Sequence, residues 1–152
     1  MRSLEEWLEL YAQSHKNKIN KLIHNICVPI ITFTVLGLLW EIPTPKFFSD
    51  YLFFNFSSLF GLAALIFYAR LSLQTFIIMA IQLGFFLLIC ANLSERGHLF
   101  TISLSLFIIA WIGQFIGHKI EGKKPSFFQD IQFLLIGPIW VVKSLTGYPQ
   151  TK

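Results

Sequence analysis

Four apolar stretches, 25–40, 51–68, 71–93 and 99–117, run without a single Asp, Glu, Lys or Arg. Each is near or within the roughly 17–25 residues that carry a helix across the hydrocarbon core of a bilayer. Soluble helices keep a charged face, and these keep none. Composition agrees, with 55% hydrophobic, 16% aromatic and only 13% charged residues, far from a soluble average. At 152 residues the chain fits one membrane domain, 1–152. The expected architecture is an all-α integral membrane helical bundle. It has an interfacial N-terminal segment over 1–23, four transmembrane helices within 24–118, and a loop with a kinked C-terminal helix over 119–152.

The opening stretch lacks the basic, then apolar, then small-residue order of a cleavable signal, so it is expected to stay in the mature protein. Ser3 with Glu6 makes a capping box, and Leu4, Trp7, Leu8 and Tyr11 share one face. This predicts an amphipathic helix, lying in the membrane interface or packed on the bundle. Two prolines in 41–50 and the polar run 94–98 mark turns outside the membrane. Arg70 alone separates the second and third stretches, which demands a tight hairpin. The last apolar stretch, 127–145, is interrupted by Asp130, Gln132, Gly137-Pro138 and Lys143. It reads as a partly embedded helix that dips and returns, or else as a fifth span. Ser126 with Gln129 would cap it at Phe127, and Gly137-Pro138 would kink it.

Basic residues set the orientation. Arg2, Lys16, Lys18 and Lys21 precede the first span, Arg70 divides the second from the third, and Lys119, Lys123 and Lys124 follow the fourth. Only Lys46 and Arg96 are left for the opposite face. The positive-inside rule then makes the N-terminal segment and the loop after His118 cytoplasmic. The net charge of +4 is mostly this topology signal, and short basic clusters at membrane ends speak against nucleic-acid binding. Cys27 and Cys90 belong to opposite ends of the membrane and cannot bond.

Of the four histidines, crossing parity places His15, His24 and His118 on one side and His98 on the other. Asn20 and His24 are four apart and share a helical face. His15, nine residues before His24, would point the opposite way on a continuous helix, so a break is required in the polar stretch 14–18. On the other arm Gln114, His118 and Glu121 share a face, and Gly113 with Gly117 makes a GxxxG that lets another helix, or a second copy of the chain, approach closely. A lone interfacial histidine is more often a hydrogen-bonded residue than a ligand. Three on one face with a carboxylate nearby favour a metal held by nitrogen and oxygen, for which Fe(II) and zinc are the natural candidates. No phosphate-cradling loop, nucleophile elbow or HExxH is present. A lipid-binding scaffold without redox chemistry and a zinc-dependent lipid hydrolase stay open on these residues.

Tyr11-x3-His15-x4-Asn20-x3-His24, Val28-Pro29, Trp111-x2-Gln114-Phe115-x-Gly117-His118-x2-Glu121-x3-Pro125 and Gly137-Pro138 together resemble the 2-hydroxy fatty acid dioxygenase family. These are small membrane proteins whose characterised fungal member acts in the endoplasmic reticulum in phytosphingosine breakdown. The resemblance covers nearly the whole chain. It implies Fe(II)-dependent α-oxidation with O2 as co-substrate, turning a 2-hydroxy fatty acid into the acid one carbon shorter. His15, His24 and His118 would be the catalytic metal ligands, and Glu121 a further ligand or a supporting partner. Asn20 and Gln114 would orient imidazoles, and Lys119, Lys123 or Lys124 would pair with the substrate carboxylate. The site would face the cytoplasm, at the inner membrane of a bacterium or the endoplasmic reticulum of a eukaryote. Where many relatives carry an acidic residue near the end of the last helix, this chain has Lys143.

Overall fold

A computed structural model describes residues 2–46, 51, 53–126 and 132–146. Among these residues six helices follow one another: α1 (Leu4–Ala12), α2 (Lys18–Trp40), α3 (Phe56–Leu71), α4 (Leu73–Glu95), α5 (Leu99–Glu121) and α6 (Phe133–Leu145). Three of them, α2, α4 and α5, are long and apolar enough to cross a membrane, and α3 is shorter at 16 residues. The chain divides into two compact units, Met1–Ile31 with Ile108–Lys152, and Thr32–Phe107.

In the first unit, α1 starts at the expected capping box, where Ser3 Oγ accepts from Glu6 N and Glu6 Oε2 accepts from Ser3 N. It ends at Ala12, and the expected break follows before α2. Leu4, Trp7 and Tyr11 are buried. Their partners are protein, since Trp7 meets Phe133 edge-on at 5.1 Å and Tyr11 lies 5.3 Å from Trp140. The amphipathic face of α1 is therefore spent on α6 and does not lie in the bilayer interface. The run Ile136–Val141 of α6 is buried throughout, with Pro138 inside the helix, as Pro29 is inside α2.

Helix boundaries shift from the sequence expectation for identifiable reasons. The first span does not begin at 25: α2 starts at Lys18, because Asn17 Oδ1 accepts from Ile19 N at 2.8 Å and satisfies an orphan amide of the first turn. The last span runs past 117 to Glu121 and stops where Gly122 turns left-handed at φ 72°. There Lys123 N donates to His118 O and Gly122 N to Lys119 O, a Schellman cap. Among the described residues the last helix begins at Phe133. The expected Gln129 cap lies outside them.

The second unit is built on the α3–α4 hairpin. Its tightness comes from Ser72, which ends α3 and also caps α4 by accepting from Thr75 N at 3.0 Å. Small residues Ser57 and Ala64 are buried on α3, as suits close helix packing without a hydrophobic driving force. Outward-facing Ile66, Ile81, Phe85 and Leu88 are more than half exposed, the surface a lipid-facing helix presents. α4 ends in a second Schellman cap on Gly97 at φ 69°, and His98 beyond it is exposed.

Candidate metal centre

His15 sits in the connection between α1 and α2, His24 at the second turn of α2, and His118 in the last turn of α5. Within the first unit α2 and α5 run antiparallel in close contact, with Gly113 and Gly117 on the facing side. A Cβ on Gly113 would meet Cys27 Sγ at 2.8 Å, and one on Gly117 would collide with Asn20 Oδ1. The GxxxG face is thus filled by α2 of the same chain, which leaves it no room to receive a second copy. That approach brings the three imidazoles together, with one ring nitrogen from each lying within 4.8 Å of the others. They are buried, at 1%, 1% and 5% exposure.

Backbone carbonyls, which only accept, decide two of the tautomers. His15 Nδ1 donates to Tyr11 O at 2.6 Å and His24 Nδ1 to Asn20 O at 3.0 Å, so in both rings Nε2 carries a lone pair. His15 Nε2 is buried without a hydrogen-bond partner, as is His118 Nδ1. His24 Nε2 and His118 Nε2 lie 3.2 Å apart. Two nitrogens each about 2.1 Å from a shared ion would stand about 3.0–3.4 Å apart for bond angles between octahedral and tetrahedral. An unpartnered buried lone pair is costly unless something fills it, and converging imidazole nitrogens suit a divalent transition metal. Burial, with the neighbouring His24 second, pushes the His15 imidazole down to about 3, keeping it in the neutral form that binds metal.

Aromatic rings wall this centre. Tyr11 stacks on His15 at 4.1 Å and 9°, and Trp140 of α6 lies 5.2 Å from the same ring. Residues 1–148 match the family model of 2-hydroxy-palmitic acid dioxygenase Mpo1-like proteins. The chain belongs to the Mpo1-like family. It is similar to 2-hydroxy-palmitic acid dioxygenase MPO1 of Saccharomyces cerevisiae, with 31% identity over 142 residues that make up 91% of this chain and 77% of the yeast protein. No solved structure matches.

In this Mpo1-like chain the other candidate residues are placed as follows. Gln114 is buried, with its side chain beside His24. Asn20 is fully buried, and its Nδ2 donates to Ser14 O at 3.1 Å and to Glu121 Oε2 at 3.0 Å. Glu121 is outside the converging group: its oxygens accept from Lys16 N and Asn17 N, each at 2.8 Å, and from Asn20. Lys119 and Lys124 are exposed, while Lys123 Nζ donates to Gln13 O at 2.8 Å. Sequence reasoning missed Trp140, Ser14 and Ser126. Ser14 Oγ contacts both His15 Nδ1 and the buried Ser126 hydroxyl, pinning the loop after α5 to the loop before α2. Gly137-Pro138 was the one signal near Trp140: a Cβ on Gly137 would crowd Tyr11 Oη at 3.1 Å, so the glycine lets α6 close over the site.

Proposed function

We propose that the chain is a membrane-bound, Fe(II)-dependent dioxygenase that converts 2-hydroxy fatty acids with O2 to the acid one carbon shorter. The observation that carries this is the meeting of three buried imidazoles, two of them with Nε2 lone pairs left free by backbone-bound Nδ1 atoms, in a chain of the Mpo1-like family. His15, His24 and His118 hold the ion, and iron, when bound, supplies the one-electron steps that let O2 react with a closed-shell substrate. Loss of the carboxyl carbon as CO2 balances with one O2 taken up and one water released, so no outside reductant is required.

The chain's own residues do the rest. The Tyr11 and Asn20 carbonyls fix ring orientation. Tyr11 and Trp140 keep water off His15. Lys119 and Lys124, exposed at the end of α5 and just past it, receive the substrate carboxylate. Exposed Leu22, Ile26 and Ile116 lie on the same stretches of α2 and α5 as the histidines, which offers the acyl tail an apolar surface continuous with the leaflet.

The same helices support an orientation. α2 leaves the site and α5 returns to it, so an even number of crossings separates them. With α4 crossing, α3 crosses too, giving four spans with the site on the cytoplasmic side, where the basic residues gather. The deciding experiment incubates Fe(II)-loaded protein with 2-hydroxypalmitate and O2. The fifteen-carbon acid is expected with iron and not with zinc. Turnover by the zinc-loaded protein, or none with iron, overturns the proposal.

A further inference from the structure

Of the three histidines, His15 alone stands outside a helix, in the connection 13–17, where a side chain swings unless the backbone on both sides is held. Before it, His15 N donates to Ala12 O at 3.1 Å at the end of α1. After it, the amides of Lys16 and Asn17 both point at one carboxylate, Glu121, with Oε1 accepting from Lys16 and Oε2 from Asn17. Glu121 lies three residues beyond His118 on α5, hence on the same side of that helix. Its Oε2 also accepts from Asn20 Nδ2, and Asn20 O holds His24 Nδ1. One side chain therefore touches the residue after the first histidine, the residue that orients the second, and the helix that bears the third. As an anion it also sits at the positive end of α2, on the amides of the two residues that lead into that helix.

We infer that Glu121 is the positioning residue that sets His15 against His24 and His118, bridging the backbone after His15 to the last turn of α5. This rests on the three-histidine centre proposed above. Both carboxylate oxygens are already engaged by three hydrogen bonds at 2.8–3.0 Å, which assigns Glu121 to the frame of the site and not to the ion.

Co(II) added to the full-length protein in detergent gives the test, with binding followed by calorimetry and coordinated rings counted as paramagnetically shifted imidazole N–H signals. Native protein is expected to show three signals. Glu121→Ala is expected to show two, with affinity weaker by about 10–100-fold, the range for losing a group that orients a ligand. Glu121→Gln keeps the length and one acceptor oxygen, and is expected to retain three signals with affinity weaker by no more than about tenfold. Three signals in Glu121→Ala overturn the inference: with native affinity Glu121 has no role, and with reduced affinity it acts on the ion directly. If the alanine variant does not fold, loss of an imidazole signal in Glu121→Gln, or its binding Co(II) more than about tenfold more weakly than the native protein, overturns it. Fewer than three signals in the unmutated protein overturn the histidine centre itself, and the inference with it.

Discussion

A buried imidazole kept neutral is useful as a ligand and costly in acid. His15, pushed down to about 3 by burial, has a folded-state value below the roughly 6.5 of an unfolded chain, so between those values the unfolded state binds more protons. Stability of the metal-free protein therefore falls as pH drops below about 6.5 and goes on falling toward about 3. Thermal melts in detergent should show this slope, and His15→Gln should flatten it. For function, His15→Ala, His24→Ala and His118→Ala should each cut product formation by more than about 100-fold and lower metal content, because each removes one imidazole of the proposed centre. His98→Ala, on an exposed residue of the other unit, should change neither. That these three histidines belong to one side was legible in the sequence from crossing parity, and the structure brings them together. Trp140 was not, because an aromatic in an apolar run carries no mark of which ring it will face.

At the scale of helices, the centre depends on how closely α2 approaches α5. Gly117→Val would force its side chain into Asn20, separating the helices where the histidines meet, and should weaken metal binding by more than about tenfold. Gly61→Ala is the matched control. An added Cβ there meets nothing within 4 Å, so binding should be unchanged, and the helix should gain up to about 1 kcal/mol, read as a higher melting temperature. Hydropathy located the long helices well, because uncharged runs report the solvent they face. It placed the start of α2 too late, since the first turns of that helix are polar and are held by Asn17 and by Glu121 from α5, 101 residues from Asn20. It also left α1 undecided between bilayer and bundle. An amphipathic face shows that it must be covered, and not by what.

For the molecule as a whole, an ion bound only by the folded form adds stability by mass action. Free metal at about 100 times its dissociation constant should raise stability by about 2.7 kcal/mol, and chelation should lower the melting temperature by the corresponding amount. A scan against metal concentration checks this, and a flat response would count against a metal shared by both arms. Those arms are far apart along the chain, His24 and His118 being separated by 94 positions. Synthesis runs from the N-terminus, so a nascent polypeptide carries His15 and His24 into the membrane long before their counterpart exists. Products of a premature stop before residue 118 lack one histidine of the proposed centre and should fail to retain its ion, so metal retention reports a finished chain.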